Sequence, residues 1–220
     1  MAPTIRLIRD ELENLLAYLI NSEIALHCNP VSHDANRLTW RASVADTRFL
    51  ANRGTTSLYQ YRAWLEAGQY SALLFDGAML QVSYDFVGHA LVAHRLAWVP
   101  SPFSMDPELL EVFPLLEVFD TYAEGKPGDV VLHTTVRFDF DLERALPNHP
   151  AAHMSINSAE CRIPCAAPLR LGHFIDFVFR NFYPVIWRAH PYLDSVSRTA
   201  WGPHTVTDVE LERPHMSWSR

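Results

Sequence analysis

The 220-residue chain has a single lysine, Lys126, so 17 of its 18 basic residues are arginines, and 11 histidines join them. Cysteine is scarce as well. Cys28, Cys161 and Cys165 are an odd number and too few for a disulfide scaffold, which fits a reducing interior. No apolar run approaches the ~20 residues that a membrane-spanning helix needs, because Asp176 and Arg180 interrupt the longest candidate. The first ten residues are charged where a secretory leader has its apolar stretch. These absences predict a cytoplasmic protein with no membrane partner. G-x-x-x-x-G-K-[ST], G-x-G-x-x-G, G-x-S-x-G and H-E-x-x-H are all missing, which removes the usual nucleotide-binding and hydrolase signatures. No repeat or linker divides the chain, so one domain over 1–220 is expected.

What is present supports a packed core: 49% of residues are hydrophobic and 12% aromatic, too many for a disordered chain. The net charge of −7 is unevenly spread. Residues 106–129 hold seven acids (Asp106, Glu108, Glu111, Glu117, Asp120, Glu124, Asp129) against Lys126, and the rest of the chain is nearly neutral. An acidic balance argues against coating long duplex DNA. It leaves local phosphate binding by arginine open, and it makes 106–129 a candidate surface for a protein partner.

Leu12, Leu15, Leu16, Leu19 and Ile20 recur at helical spacing and predict an amphipathic helix over 11–27. Residues 37–50 alternate weakly, and 57–66 fits a short helix or a strand. Two apolar runs around Asp76-Gly77 predict a hairpin over 70–86 with a type I′ turn. HRLAWV (94–99) reads as a third strand stopped by Pro100 and Pro102. DPELLEVF opens a helix with Asp106 as cap and Pro107 at its first position. Residues 130–142 predict a long strand, 153–157 and 161–163 short ones, and 171–188 a helix with Pro184 near its end. The tail 195–220 is polar, with a weak strand at 205–211. Strands gathered between terminal helices, without β-α-β alternation, imply an α+β fold: a mostly antiparallel sheet over 70–165 flanked by N-terminal and C-terminal helices.

Strand period two sharpens the chemistry. Along 130–142 it puts Val130, Leu132, Val136, Phe138, Phe140 and Leu142 on one face, with His133, Thr135, Arg137, Asp139 and Asp141 on the other. It likewise aligns His153, Ser155 and Asn157, and Gln81, Ser83 and Asp85. If these strands neighbour one another, Arg, Asp and His share one polar surface; the competing reading is an ordinary solvated sheet face. His149 and His153, four apart and close to Asp139, are the parts for cleaving a phosphodiester with a 2′-hydroxyl nucleophile: neutral imidazole as base, imidazolium as acid. Arg137 and Arg162 offer planar forks for the phosphate charge. The spacing H-x3-H-x7-C-x3-C through Cys161 and Cys165 has the Cys₂His₂ count of a structural zinc site without a familiar order. Asp85, Asp139 and Asp141 are a candidate Mg²⁺ set. The scheme adopted needs neither ion. Arg170, Phe174, Phe177, Arg180, Tyr183, Trp187 and Arg188 superficially match a single-strand platform, but at helical spacing the aromatics belong to a core.

In order along the chain, DGAMLQVSYDF, HRLAWVPSP, RFDFD, HPAAHMSIN, CRIP and HFIDFVFRNFY resemble the bacterial domain-of-unknown-function family 2290 over roughly residues 70–184. Trp98 stands where that pattern leads one to expect tyrosine. The resemblance implies a functional patch of Arg137, Asp139, His149, His153, Asn157 and Arg162, with Asp76, Gln81 and His94 from the earlier segments. It also implies a setting among mobile-element and defence genes, and hence a role in nucleic-acid metabolism. Two functional expectations follow. One is a nuclease-like phosphoesterase acting on RNA or single-stranded nucleic acid, with His149, His153 and Asp139 catalytic and Arg137, Arg162, Asn157, Gln81 and His94 binding. The other is an adaptor that docks a protein through 106–129.

Overall fold

A computed structural model of the protein describes residues 4–34, 36–41, 57–125, 130–131, 134–158, 160–198, 202 and 204–218. Helix α1 (Ile5–Asn21) starts where the Thr4 hydroxyl accepts the Leu7 N–H, and it buries Ile8, Leu12, Leu15, Leu16 and Leu19 as one stripe. The helix expected over 11–27 therefore begins earlier and stops sooner. Glu23 takes a φ of 57°, and Ala25–Cys28 continues as strand β1. Strands β2 (Val31–His33) and β3 (Arg37–Trp40) pair antiparallel. The weak alternation predicted beyond Arg41 lies outside the described residues. The ambiguous stretch 57–66 is helix α2 (Leu58–Glu66), capped by the Ser57 hydroxyl accepting from the Gln60 N–H.

Strands β4 (Ala72–Leu74) and β5 (Met79–Val87) form the expected hairpin, but not through a type I′ turn. Only Gly77 has positive φ, at 85°. The Gly77 N–H donates to the Leu74 carbonyl and the Leu74 N–H to the Ala78 carbonyl. That is a three-residue connection closed by a left-handed glycine. Strand β6 (Ala90–Val99) precedes α3 (Pro107–Val112), capped by Asp106 as predicted, and α4 (Leu115–Gly125), which restarts after Pro114. The strand expected over 130–142 shortens to β7 (Val136–Asp141). Val130 makes an isolated bridge with Phe103, Leu132 and His133 lie outside the described residues, and Leu142 is past the strand end and exposed. Strands β8 (Ala152–Ile156) and β9 (Ile163–Pro164) follow. The helix expected over 171–188 divides into α5 (Leu171–Phe182) and α6 (Pro184–Ala189), since Pro184 lacks the N–H that would carry the ladder onward. Helices α7 (Tyr192–Ser195) and α8 (Asp208–Leu211) are the last among the described residues. The strand expected at 205–211 is instead α8, because Thr207 and Glu210 close a reciprocal capping box.

The described residues thus form an α+β fold, with a nine-stranded antiparallel sheet ordered β1-β4-β5-β6-β7-β8-β9 and β3 bridging β2 to β5. Among the described residues no helix is long and apolar enough to cross a membrane. Alternate residues of the central strands separate two environments. Leu80, Val82, Tyr84 and Phe86 of β5, Leu96 and Trp98 of β6 and Val136, Phe138 and Phe140 of β7 pack in the larger core with α1 and α5. Met79 and Val99 join a second core with α2, α3 and α4 around Tyr61, Trp64, Phe103 and Phe119. Beyond that second core, the same face of the sheet turns polar.

Candidate functional site

Antiparallel register assembles the polar face in two cross-strand rows. Ser83 pairs with Arg95, Arg95 with Asp139 and Asp139 with His153; Gln81 pairs with Ala97, Ala97 with Arg137 and Arg137 with Ser155. Arg137 Nε donates to Asp139 Oδ2 at 2.5 Å. Arg95 Nε lies 3.8 Å from Asp139 Oδ1, and His153 Nε2 lies 3.7 Å from Asp139 Oδ2. One carboxylate is therefore ringed by two guanidinium groups and an imidazole. Arg95 is its most open member, with 34% of its side chain exposed against 17% for Arg137 and 13% for Asp139.

The loop between β7 and β8 brings the second histidine. Asp141 Oδ1 accepts the N–H groups of Glu143 and Arg144 and turns the chain, and a reciprocal backbone bridge between Leu146 and His149 folds it back. His149 then stands over His153 with ring centroids 4.9 Å apart at 76°. The Nδ1–H of His153 donates to the Pro150 carbonyl at 2.9 Å, which fixes the tautomer and leaves Nε2 as the basic nitrogen. Burial lowers the His153 pKa despite the neighbouring Asp139, so the ring is neutral at neutral pH. Among the described residues, Gln81 Oε1, His149 Nδ1 and Ser155 Oγ on this face are buried without a hydrogen-bond partner. Gln81 spends its amide N–H on the Gln69 carbonyl.

The structure brings Arg137, Asp139, His149 and His153 together and puts Gln81 and Ser155 in the neighbouring row. Arg162 and Asn157 stand at the margin. Arg162 has Glu160 as its carboxylate neighbour at 3.7 Å, and among the described residues it makes no ion pair with Asp139. Asn157 ends β8 at φ 61°, a left-handed conformation that asparagine tolerates.

His94 is not at this site. It is fully buried on the opposite, apolar side of the sheet beside Tyr84 and Phe140, its Nε2 accepts the Leu169 N–H at 2.8 Å, and burial lowers its pKa to about 3. It is a neutral core residue. Asp76 is also remote: Trp98 Nε1 donates to the Tyr183 hydroxyl at 3.2 Å, and that hydroxyl donates to Asp76 Oδ2 at 2.8 Å, tying the β4–β5 turn to the end of α5. Sequence reasoning missed Arg95, although period two along β6 separates it from His94, Leu96 and Trp98.

Neither candidate metal set assembles, since no three His, Cys, Asp or Glu side chains among the described residues are placed to hold an ion. Cys165 is buried, its S–H donates to the Ile163 carbonyl, and burial pushes its thiol up to about 12. Of the carboxylates proposed for Mg²⁺, Asp85 lies 3.3 Å from Arg37, Asp139 is held by Arg137, and Asp141 caps its own turn.

A family model described as "Uncharacterized conserved protein (DUF2290)" matches residues 22–218. No curated protein and no solved structure matches the chain.

Proposed function

Since the chain belongs to the DUF2290 family, whose description names no reaction, we propose from the site's chemistry that it cleaves phosphodiester bonds in RNA by histidine acid–base catalysis. The observation that carries this reading is the meeting of His149, His153, Asp139 and Arg137 on one face of the sheet. In the reaction a 2′-hydroxyl attacks phosphorus, the O2′–P bond forms and the P–O5′ bond breaks. A neutral imidazole accepts the 2′-hydroxyl proton and an imidazolium returns one to the 5′-oxygen. His153 suits the first role, because its ring is held neutral with Nε2 unprotonated. His149, half-buried above it, takes the second. The Pro150 carbonyl orients His153, and Asp139 favours the imidazolium that forms. Arg95 and Arg137 meet the charge that grows on the non-bridging oxygens, and Arg162 and Asn157 at the margin contact the remainder of the substrate; Gln81, wholly buried, supports the adjoining row without reaching it.

The test is cleavage of end-labelled RNA oligonucleotides by the purified chain in EDTA, with DNA of the same sequence as control. RNA cleavage and DNA resistance are expected. His149→Ala and His153→Ala should each lower the rate by about 10²-fold or more, with circular dichroism verifying the fold. His153→Asn retains a donor towards the Pro150 carbonyl and serves if alanine unfolds the site. Cleavage that is unchanged in folded variants overturns the proposal.

A further inference from the structure

We infer that the outer face of α3 and α4 is a docking groove for a cationic, amphipathic segment of a partner protein, a surface separate from the polar cluster. Helix α3 is peripheral: Leu109 and Leu110 lean half-buried on the second core, and its remaining side chains are exposed. It ends in an exposed run, Glu111, Val112, Phe113 and Pro114, in which Val112 is 72% and Phe113 45% exposed. Two adjoining large apolar side chains in water mark a contact surface when a groove continues from them. One does here. A cavity of about 400 Å³ runs along α4, lined by Pro114, Leu116, Glu117, Asp120, Thr121 and Glu124.

The charges of that groove decide its occupant. Asp120 is already neutralised, since Arg62 donates to both its oxygens at 2.8 Å and thereby joins α2 to α4. Glu111, Glu117 and Glu124 form no ion pair among the described residues. Glu117 and Glu124 sit two helical turns apart on one side of α4, about 10 Å along its axis. The complementary partner presents arginine or lysine at the same two-turn spacing, with a large apolar residue to cover Val112 and Phe113. Nucleic acid and anionic membrane carry the wrong sign for this face.

The probe is a synthetic helix-forming peptide with arginines seven residues apart and a leucine or tryptophan anchor at one end, fluorescein-labelled and titrated with the full chain by anisotropy. Binding is expected. It should weaken at least tenfold for Glu117→Lys/Glu124→Lys and for Val112→Ser/Phe113→Ser, and a peptide with glutamates in place of arginines should bind the lysine variant better than the arginine peptide does. No binding to the wild type, equal binding to the variants, or equal binding by a peptide whose anchor is serine overturns the inference. Sedimentation is measured alongside, and a dimer that Phe113→Ser abolishes overturns it in favour of a second copy on this face. RNA cleavage by the lysine variant separates the two proposals, because that variant leaves the His149–His153 cluster untouched.

Discussion

A single imidazole shows how environment overrides residue type. His94, His149 and His153 are the same side chain within one sheet and loop, yet His94 is a buried acceptor for a backbone N–H while His153 keeps Nε2 towards Asp139. The first has consequences for stability. In the unfolded chain His94 titrates near its ordinary 6.5, and in the folded protein only at about 3. Below pH 6.5 the unfolded state therefore binds this extra proton, so the contribution of His94 is constant above about pH 7 and is lost as pH drops from 6.5 towards 3. His173, half-buried and lowered to about 4, adds to the same slope. Urea unfolding across this range should show the decline. His94→Gln, whose amide oxygen replaces Nε2 as acceptor without titrating, should flatten part of it; an unaltered slope would show that His94 is not the residue responsible. The composition revealed the supply of histidines but not this division of labour, because it depends on which strand face each one occupies. Period two could have separated His94 from Arg95. The motif that contained them both drew attention to the histidine.

Among the elements, those with strong local causes were the legible ones. Asp106 before Pro107 specified the start of α3, the leucine stripe specified α1, and alternation specified β5, β7 and the polar face. Strands β1 and β2 escaped notice and β3 showed only as weak alternation, because three or four residues hold too little periodicity and β1 and β3 depend on pairing with β4 and β5, far along the chain. The same non-local dependence explains the β4–β5 turn. Asp-Gly predicted the hairpin correctly, but the turn type was set by tertiary contacts: the Tyr61 hydroxyl donates to the Gly77 carbonyl at 2.6 Å, and Tyr183 holds Asp76. A Cβ on Gly77 would lie 2.7 Å from Met105 Cε and 3.1 Å from the Tyr61 hydroxyl. Gly77→Ala should thus cost about 1–2 kcal/mol for the left-handed backbone alone, and more for the displaced Met105 side chain. Denaturant unfolding would measure it, and a cost below about 0.5 kcal/mol would contradict this account of the turn.

At the scale of the molecule, one sheet serves two cores and a polar cluster, and adjacent residues of the same strand belong to different ones. In β5, Met79 faces the second core and Leu80 the first; in β6, Val99 and Trp98 divide in the same way. Peeling either strand away exposes both cores, so neither can melt while the other keeps its sheet. Phe138, in edge-to-face contact with Phe174 and Phe177, anchors the first core. Phe119, between Tyr61 and Phe103, anchors the second. Each Phe→Ala change should cost about 3–5 kcal/mol. The coupling makes a sharper prediction than the magnitudes do: Trp64 reports on the second core and Trp98 on the first, so variants retaining one or the other should give coincident urea transitions, even in the Phe119→Ala background. Distinct midpoints would mean that α2, α3 and α4 unfold as a separate unit, and the polar cluster beside them would then lose its neighbouring support before the sheet itself gives way.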